Sequence, residues 1–145
     1  MFRLTDIEEL VDQLNTTLWR LDNNDKVFDG KCCFIAYCIA KNLEERDILY
    51  NVVVYAHTGS NTEDVFQLLE EENIAHVSIQ LSLGNKKFII GDNLIDDNGL
   101  EVSYHDFNSE ELLNLYENGN WNTGHSDITD EEIKDEIDMT FMMVL

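Results

Sequence analysis

Positive charge is what this sequence has least of. Nine lysines and arginines stand against 30 aspartates and glutamates, a formal net charge of −21. Gripping nucleic acid by its phosphates needs clustered basic side chains, so that class of function is excluded. Docking on an anionic membrane surface is excluded for the same reason. A basic protein partner, or mimicry of DNA toward such a partner, stays open. No apolar run reaches membrane-spanning length, and Met1-Phe2-Arg3-Leu4-Thr5-Asp6 does not make a signal peptide. The chain is therefore expected to work in water, in the cytoplasm or delivered into the cytoplasm of a target cell. Cysteine is scarce: three residues, an odd number, two of them adjacent. That argues against a disulfide framework and for free thiols in a reducing compartment. No CxxC pair is present, so no metal is expected, and no cofactor either. Proline is absent, which by itself diagnoses nothing. No internal repeat is visible.

What is present is enough for a core. Hydrophobic residues make up 43% of 145 positions, which suits one domain. We expect a single unit over 1–145, with its core at about 29–100 and an acidic segment from about 126 to 145 docking on it. Thr5-Asp6-Ile7-Glu8 reads as a capping box. Ile7, Leu10, Val11, Leu14, Leu18 and Leu21 then follow helical spacing, and turn residues at 22–25 end the run. A second helix is expected from Gly30 or Lys31 to about Glu45, apolar almost all round from Cys32 to Ala40 and hence internal. Tyr50 to Ala56 is β-branched and aromatic and reads as a strand. After a loop at 58–61, Thr62 caps a short helix carrying Val65, Phe66, Leu68 and Leu69, ending near Asn73. His76 to Leu83 and Lys86 to Ile90 flank Gly84-Asn85, a hairpin signal. A loop follows to Asn98-Gly99. Ser109-Glu110-Glu111 opens another short helix. The acidic run from Asp127 to Asp138 is expected to be helical after Thr129, and Met139 to Leu145 to dock as an edge strand. Helices followed by strands and a hairpin make an α+β domain.

The stretch from Asp29-Gly30-Lys31-Cys32 carries the chemistry. A thiol in the first turn of a helix sits near unpaired backbone N–H groups, which favours the thiolate. The alternative is that Cys32, Cys33 and Cys38 are all core packing. Cys33 and Cys38 are read that way. Acyl attack by Cys32 needs a base, an orienter for that base and donors for the oxyanion. His76, heading a strand, is the candidate base, and Asp92 or Asn93, beyond the next strand, the candidate orienter. If Gly84-Asn85 is a two-residue turn, Leu83 faces Lys86, Leu81 faces Phe88, Ile79 faces Ile90 and His76 faces Asn93. A longer loop or bulge puts Asp92 opposite His76 instead. His57, His105 and His125 are weaker candidates, read as a surface turn, a local pair with Asp106, and a polar loop.

Gly30-Lys31-Cys32-Cys33-Phe34-Ile35-Ala36, a following helix and Val-rich strand, His76 at a strand head, and Phe88-Ile89-Ile90-Gly91-Asp92-Asn93-Leu94 together resemble the papain-like cysteine-protease fold. Within it, the chain is most similar to bacterial transglutaminase-like and papain-fold toxin domains. The resemblance covers about Asp29 to Leu100. It implies a core in which a buried Cys-bearing helix packs on a small antiparallel sheet. It also implies Cys32 as nucleophile, His76 as base and Asp92 as orienter. The activity implied is cysteine-dependent acyl hydrolysis or transfer on a protein or peptide: peptidase, glutamine deamidase or transglutaminase, in a toxin or effector domain. Cys33 departs from the pattern, and no upstream glutamine offers an oxyanion donor. The competing class is a non-enzymatic acidic binding protein, an immunity protein or anti-defence inhibitor facing a basic partner. A pseudoenzyme that keeps the fold for binding is a third reading.

Overall fold

The structure, a computed structural model, describes residues 3–21, 31–57, 65–70, 74–91, 100–119, 121 and 128–145. The expected turns and loops at 22–25, 58–61 and 92–99, and the cap Thr62, lie outside them. The architecture is α+β. Four helices of ten residues or more and one of six accompany a four-stranded antiparallel sheet.

α1 (Leu4–Leu21) buries Ile7, Leu10, Val11, Leu14 and Leu18, one stripe at helical spacing. Its start lies upstream of the expected cap. Arg3 O accepts the first helical bonds, from the N–H groups of Asp6 and Ile7, and Asp6 Oδ2 reaches back to Arg3 N–H at 3.1 Å. Asp6 thereby supplies the returning carboxylate that Glu8 was expected to give, and Thr5 lies inside the helix.

α2 (Cys32–Glu45) is the internal helix its composition implies. It buries Cys33 to Ala36 and Cys38 to Ala40, with β2 on one side and α4 and α5 on others. β1 (Tyr50–His57) follows, then the short α3 (Val65–Glu70), β2 (Ile74–Leu83), β3 (Lys86–Ile90), β4 (Leu100–His105), α4 (Ser109–Asn118) and α5 (Asp130–Val144).

Strand order is β3-β2-β1-β4. The β2–β3 hairpin has the register its turn dictates: Leu83 opposite Lys86, Leu81 opposite Phe88, Ile79 opposite Ile90. Gly84 has φ +62° at the first turn position, the left-handed conformation a two-residue hairpin demands of glycine. Val52, Val54, Val77, Ile79, Leu81 and Ile90 join the helices in the core cluster. Between β1 and β2 the register slips: Tyr55 faces His76 but Ala56 faces Ile74. Ala75 is thus an extra residue, a bulge immediately before His76, and bulges bend a strand and re-aim its next side chain.

Two expectations change. β4 is a strand where none was expected. Among the described residues it pairs with β1 alone, and it is exposed nearly throughout, with Val102 44% and Tyr104 57% exposed. Residues Met139 to Val144 are helix, continuous with the acidic run, and not an edge strand. Ile133, Ile137, Thr140 and Phe141 are buried at intervals of four, three and one. That spacing is helical to the end, so the apolar tail presents one side to the core and the other to solvent.

Candidate functional site

Cys32 is the first residue of α2. Lys31 caps the helix without a side-chain hydrogen bond to the backbone, and Ile35 N–H donates to Lys31 O at 2.9 Å. The N–H groups of Cys32, Cys33 and Phe34 therefore have no partner within the helix. Lys31 itself is occupied elsewhere. Its Nζ donates to Asp130 Oδ1 at 2.7 Å and to the Tyr116 hydroxyl at 3.0 Å, and Tyr116 donates in turn to Asp130. Burial opposes the Lys31 charge, but Asp130 and Tyr116 outweigh it and hold its pKa above the usual value. The helix start is thus fastened to α4 and α5.

Cys32 as a residue is partly exposed, but its sulfur is buried against β2. Burial pushes its pKa up, while the N–H groups of Val77, Cys33 and Cys32 pull it back, and the balance lies at about 11. The thiolate expected from the helix start is therefore not the resting form; desolvation wins. Val77 is available to donate for a topological reason. In an antiparallel ladder closed by a two-residue turn, alternate residues exchange backbone bonds. Leu83, Leu81 and Ile79 do so with β3, and Val77 points the same way, past Ile90, where the described pairing ends.

His76 is buried at the bulge, its ring 5.7 Å from that of Tyr55. Its Nε2 lies 3.2 Å from Gly91 O. A carbonyl can only accept, so Nε2 carries the proton and Nδ1 is the basic nitrogen of the neutral ring. Gly91 is held in turn: its N–H donates to Asn15 Oδ1 of α1 at 2.8 Å, and its φ of +88° is one that L side chains rarely adopt.

Cys32 and His76 both border one cavity, although the His76 ring meets Tyr55, which alternation places on the face of the sheet opposite Val54 and the α2 side. Cys32, His76, Ser78 and Gly91 line one cavity of about 10 Å³, walled by Ile35, Ile39, Ile79 and Ile90. That is room for about one water. Ser78 Oγ is buried there with no hydrogen-bond partner among the described residues. Larger cavities lie elsewhere. One, about 460 Å³, is at the opposite end of β2 beside Leu49 and Leu83 and contains neither Cys32 nor His76.

The candidate orienters Asp92 and Asn93 lie outside the described residues, as does His125. The partner observed on the His76 ring is instead the carbonyl of Gly91, a residue whose N–H is held by Asn15. Neither was anticipated, because a backbone acceptor has no side-chain signature and Asn15 lies 76 residues away in the chain. Cys33 and Cys38 are packing residues. Cys33 Sγ donates to Leu112 O at 3.3 Å. Burial drives both thiols up, Cys33 well above its ordinary value and Cys38 to about 12. His57 ends β1 exposed, facing Leu100. His105 lies on β4, with Nε2 2.9 Å from Ser103 Oγ and its ring stacked on Phe107. With β1 between β4 and β2, it lies two strands from His76. No cluster of three or more metal-ligating side chains occurs among the described residues, and no described helix is long and apolar enough to cross a membrane.

No protein-family model, no curated protein and no solved structure matches this chain.

Proposed function

We propose that this chain is a cysteine-dependent acyl hydrolase or acyl transferase with a papain-like core, acting on a protein or peptide amide. Cys32 is the nucleophile and His76 the base. One observation carries the reading: Cys32, at a helix start, and His76, whose Nε2 lies 3.2 Å from Gly91 O, both belong to the lining of one small cavity.

The resting thiol, with its pKa near 11, sets the order of events. The proton leaves sulfur for the His76 imidazole as substrate arrives, rather than beforehand. Sulfur then bonds to the acyl carbon, and the carbonyl electrons move to oxygen. The N–H groups of Cys32 and Cys33 are the donors at hand for that oxyanion. Collapse breaks the C–N bond, and the amine leaves with the proton from His76. Water or a second amine resolves the thioester. Which of the two accepts the acyl group separates peptidase and deamidase from transglutaminase. Asp92 and Asn93, next in the chain after Gly91, remain the side chains proposed to support the imidazolium.

Mass-mapped labelling with iodoacetamide at neutral pH tests this. Cys32 is expected to react ahead of Cys33 and Cys38, and His76→Ala to slow it by at least about tenfold. Even labelling of the three thiols, or indifference to His76, would remove the proposal. A second reading, an acidic binding protein, draws on charge. Among the described residues, six of the nine lysines and arginines already pair with carboxylates. Among the described residues, Glu9, Asp12, Glu101, Glu110, Glu131, Glu132 and Asp135 stand exposed. That reading expects a salt-sensitive complex that survives Cys32→Ala.

A further inference from the structure

α1 and α5 lie side by side and antiparallel. The Thr17 and Thr140 hydroxyls are 3.2 Å apart, and Arg20 Nη2 reaches Glu136 Oε2 at 2.9 Å. A groove of about 340 Å³ opens between the two helices. Met139 and Met143 line its α5 wall, Thr16 and Thr17 its α1 wall. Met139 is 54% exposed and Met143 78%. Four residues apart, they form one stripe on α5. The core makes no use of that stripe, since α5 turns Ile133, Ile137 and Phe141 inward. Unbranched, polarisable thioethers on a surface adapt to many apolar partners.

The rims are acidic. Glu9 and Glu136 line the groove. Glu132 and Asp135 on α5 and Asp12 on α1 stand exposed on the same stretches of helix. Among the described residues Arg20 is the one cation lining it, and Glu136 already holds it. From Glu9 to Arg20 the wall rises about 16 Å, three turns of helix. A second copy of this chain would bring the same acidic rims together at a net charge of −21 each, and an anionic lipid surface meets the same repulsion. An apolar stripe flanked by cations suffers neither.

We propose that the α1–α5 groove docks an amphipathic helix of a basic partner protein. Apolar side chains of that helix seat on Met139 and Met143, and its lysines or arginines meet Glu9 and the neighbouring carboxylates. The inference is independent of the acyl-transfer reading: it uses no residue of the Cys32–His76 cavity.

The test titrates the full chain with a fluorescent 14-residue amidated peptide of leucines at helical spacing and lysines elsewhere, beside a scrambled isomer of identical charge. The helical peptide is expected to bind saturably, and the scrambled one at least about tenfold more weakly. Met139→Ser with Met143→Ser is expected to cost about tenfold. Glu9→Gln weakens binding and flattens its salt dependence, while Arg20→Gln, which frees Glu136, tightens it. All four substitutions are at exposed positions, and thermal melting checks that each variant is folded. Equal affinity for the two peptides would mean charge alone and would overturn the proposal. So would indifference to the methionine substitutions, or self-association of the chain through this face.

Discussion

At Cys32 two physical effects oppose each other, and their sizes decide the outcome. The partial charge of a helix N-terminus stabilises an anion by about 0.3–1 kcal/mol, and up to about 2 in buried geometry. Full burial raises a thiol's pKa by up to about 3–5 units, at about 1.4 kcal/mol each. The first effect is legible in sequence as a cysteine that opens a helix. The second is not, because it depends on β2 and the isoleucines of the cavity wall closing over the sulfur. The sign of the shift therefore reverses between sequence and fold. With the thiol near 11, the thiolate fraction below that pH falls about tenfold per unit. Alkylation of Cys32 is then expected to climb steadily from neutral into alkaline pH. A profile flat through neutrality would signal a preformed thiolate–imidazolium pair, contrary to this environment. Mass-mapped iodoacetamide rates across that range measure it. The hydrogen-bond partner of the His76 ring was equally beyond sequence reasoning. Every residue has a carbonyl, so nothing marks Gly91 except the fold that turns it toward the ring.

Among the elements, those with a period were legible and those without one were not. The hairpin could be read to the residue, because a two-residue Gly-Asn turn admits one register and apolar alternation supports it. β4 escaped because it is an edge strand exposed on both faces, so its alternation of Leu100, Val102 and Tyr104 with polar residues is short and marks no buried face. The end of α5 misled because seven apolar-rich residues look like a docking strand when read apart from Ile133 and Ile137. The junction of α2, β1 and α4 supplies a pH test. Glu44 Oε2 accepts from the Tyr50 hydroxyl at 2.6 Å and from Ser109 N–H at 2.9 Å, and Oε1 from Ser109 Oγ at 2.6 Å. Burial would raise the Glu44 carboxyl, but those hydrogen bonds outweigh it and hold its pKa below the usual range. The folded pKa lies below the unfolded one, so this stabilisation is present above the ordinary carboxylate pKa. It is lost as pH falls through the lowered value. Urea midpoints measured from about pH 5 down to about pH 2 are expected to fall less steeply for Glu44→Gln than for the parent chain.

For the molecule as a whole, charge dominates. Of six described ion pairs, three are local in the chain and three join different elements, but most of their partners are half-exposed, and such pairs contribute about 0–1 kcal/mol each. Self-repulsion at −21 is larger and longer-ranged. Salt weakens both, so repulsion is the term whose loss shows. Raising sodium chloride from about 10 mM to about 150 mM shortens the screening length from about 30 Å to about 8 Å. The melting temperature is expected to rise over that interval; a fall would mean that ion pairs outweigh repulsion. Lys31 has a further consequence. Its amine, one residue before the candidate nucleophile, ends on Tyr116 and Asp130, and Cys33 ends on Leu112 O. These partners lie 79 to 99 residues further along the chain. During synthesis the first turn of α2 is therefore made long before the groups that fasten it, so its docking waits on α4 and α5.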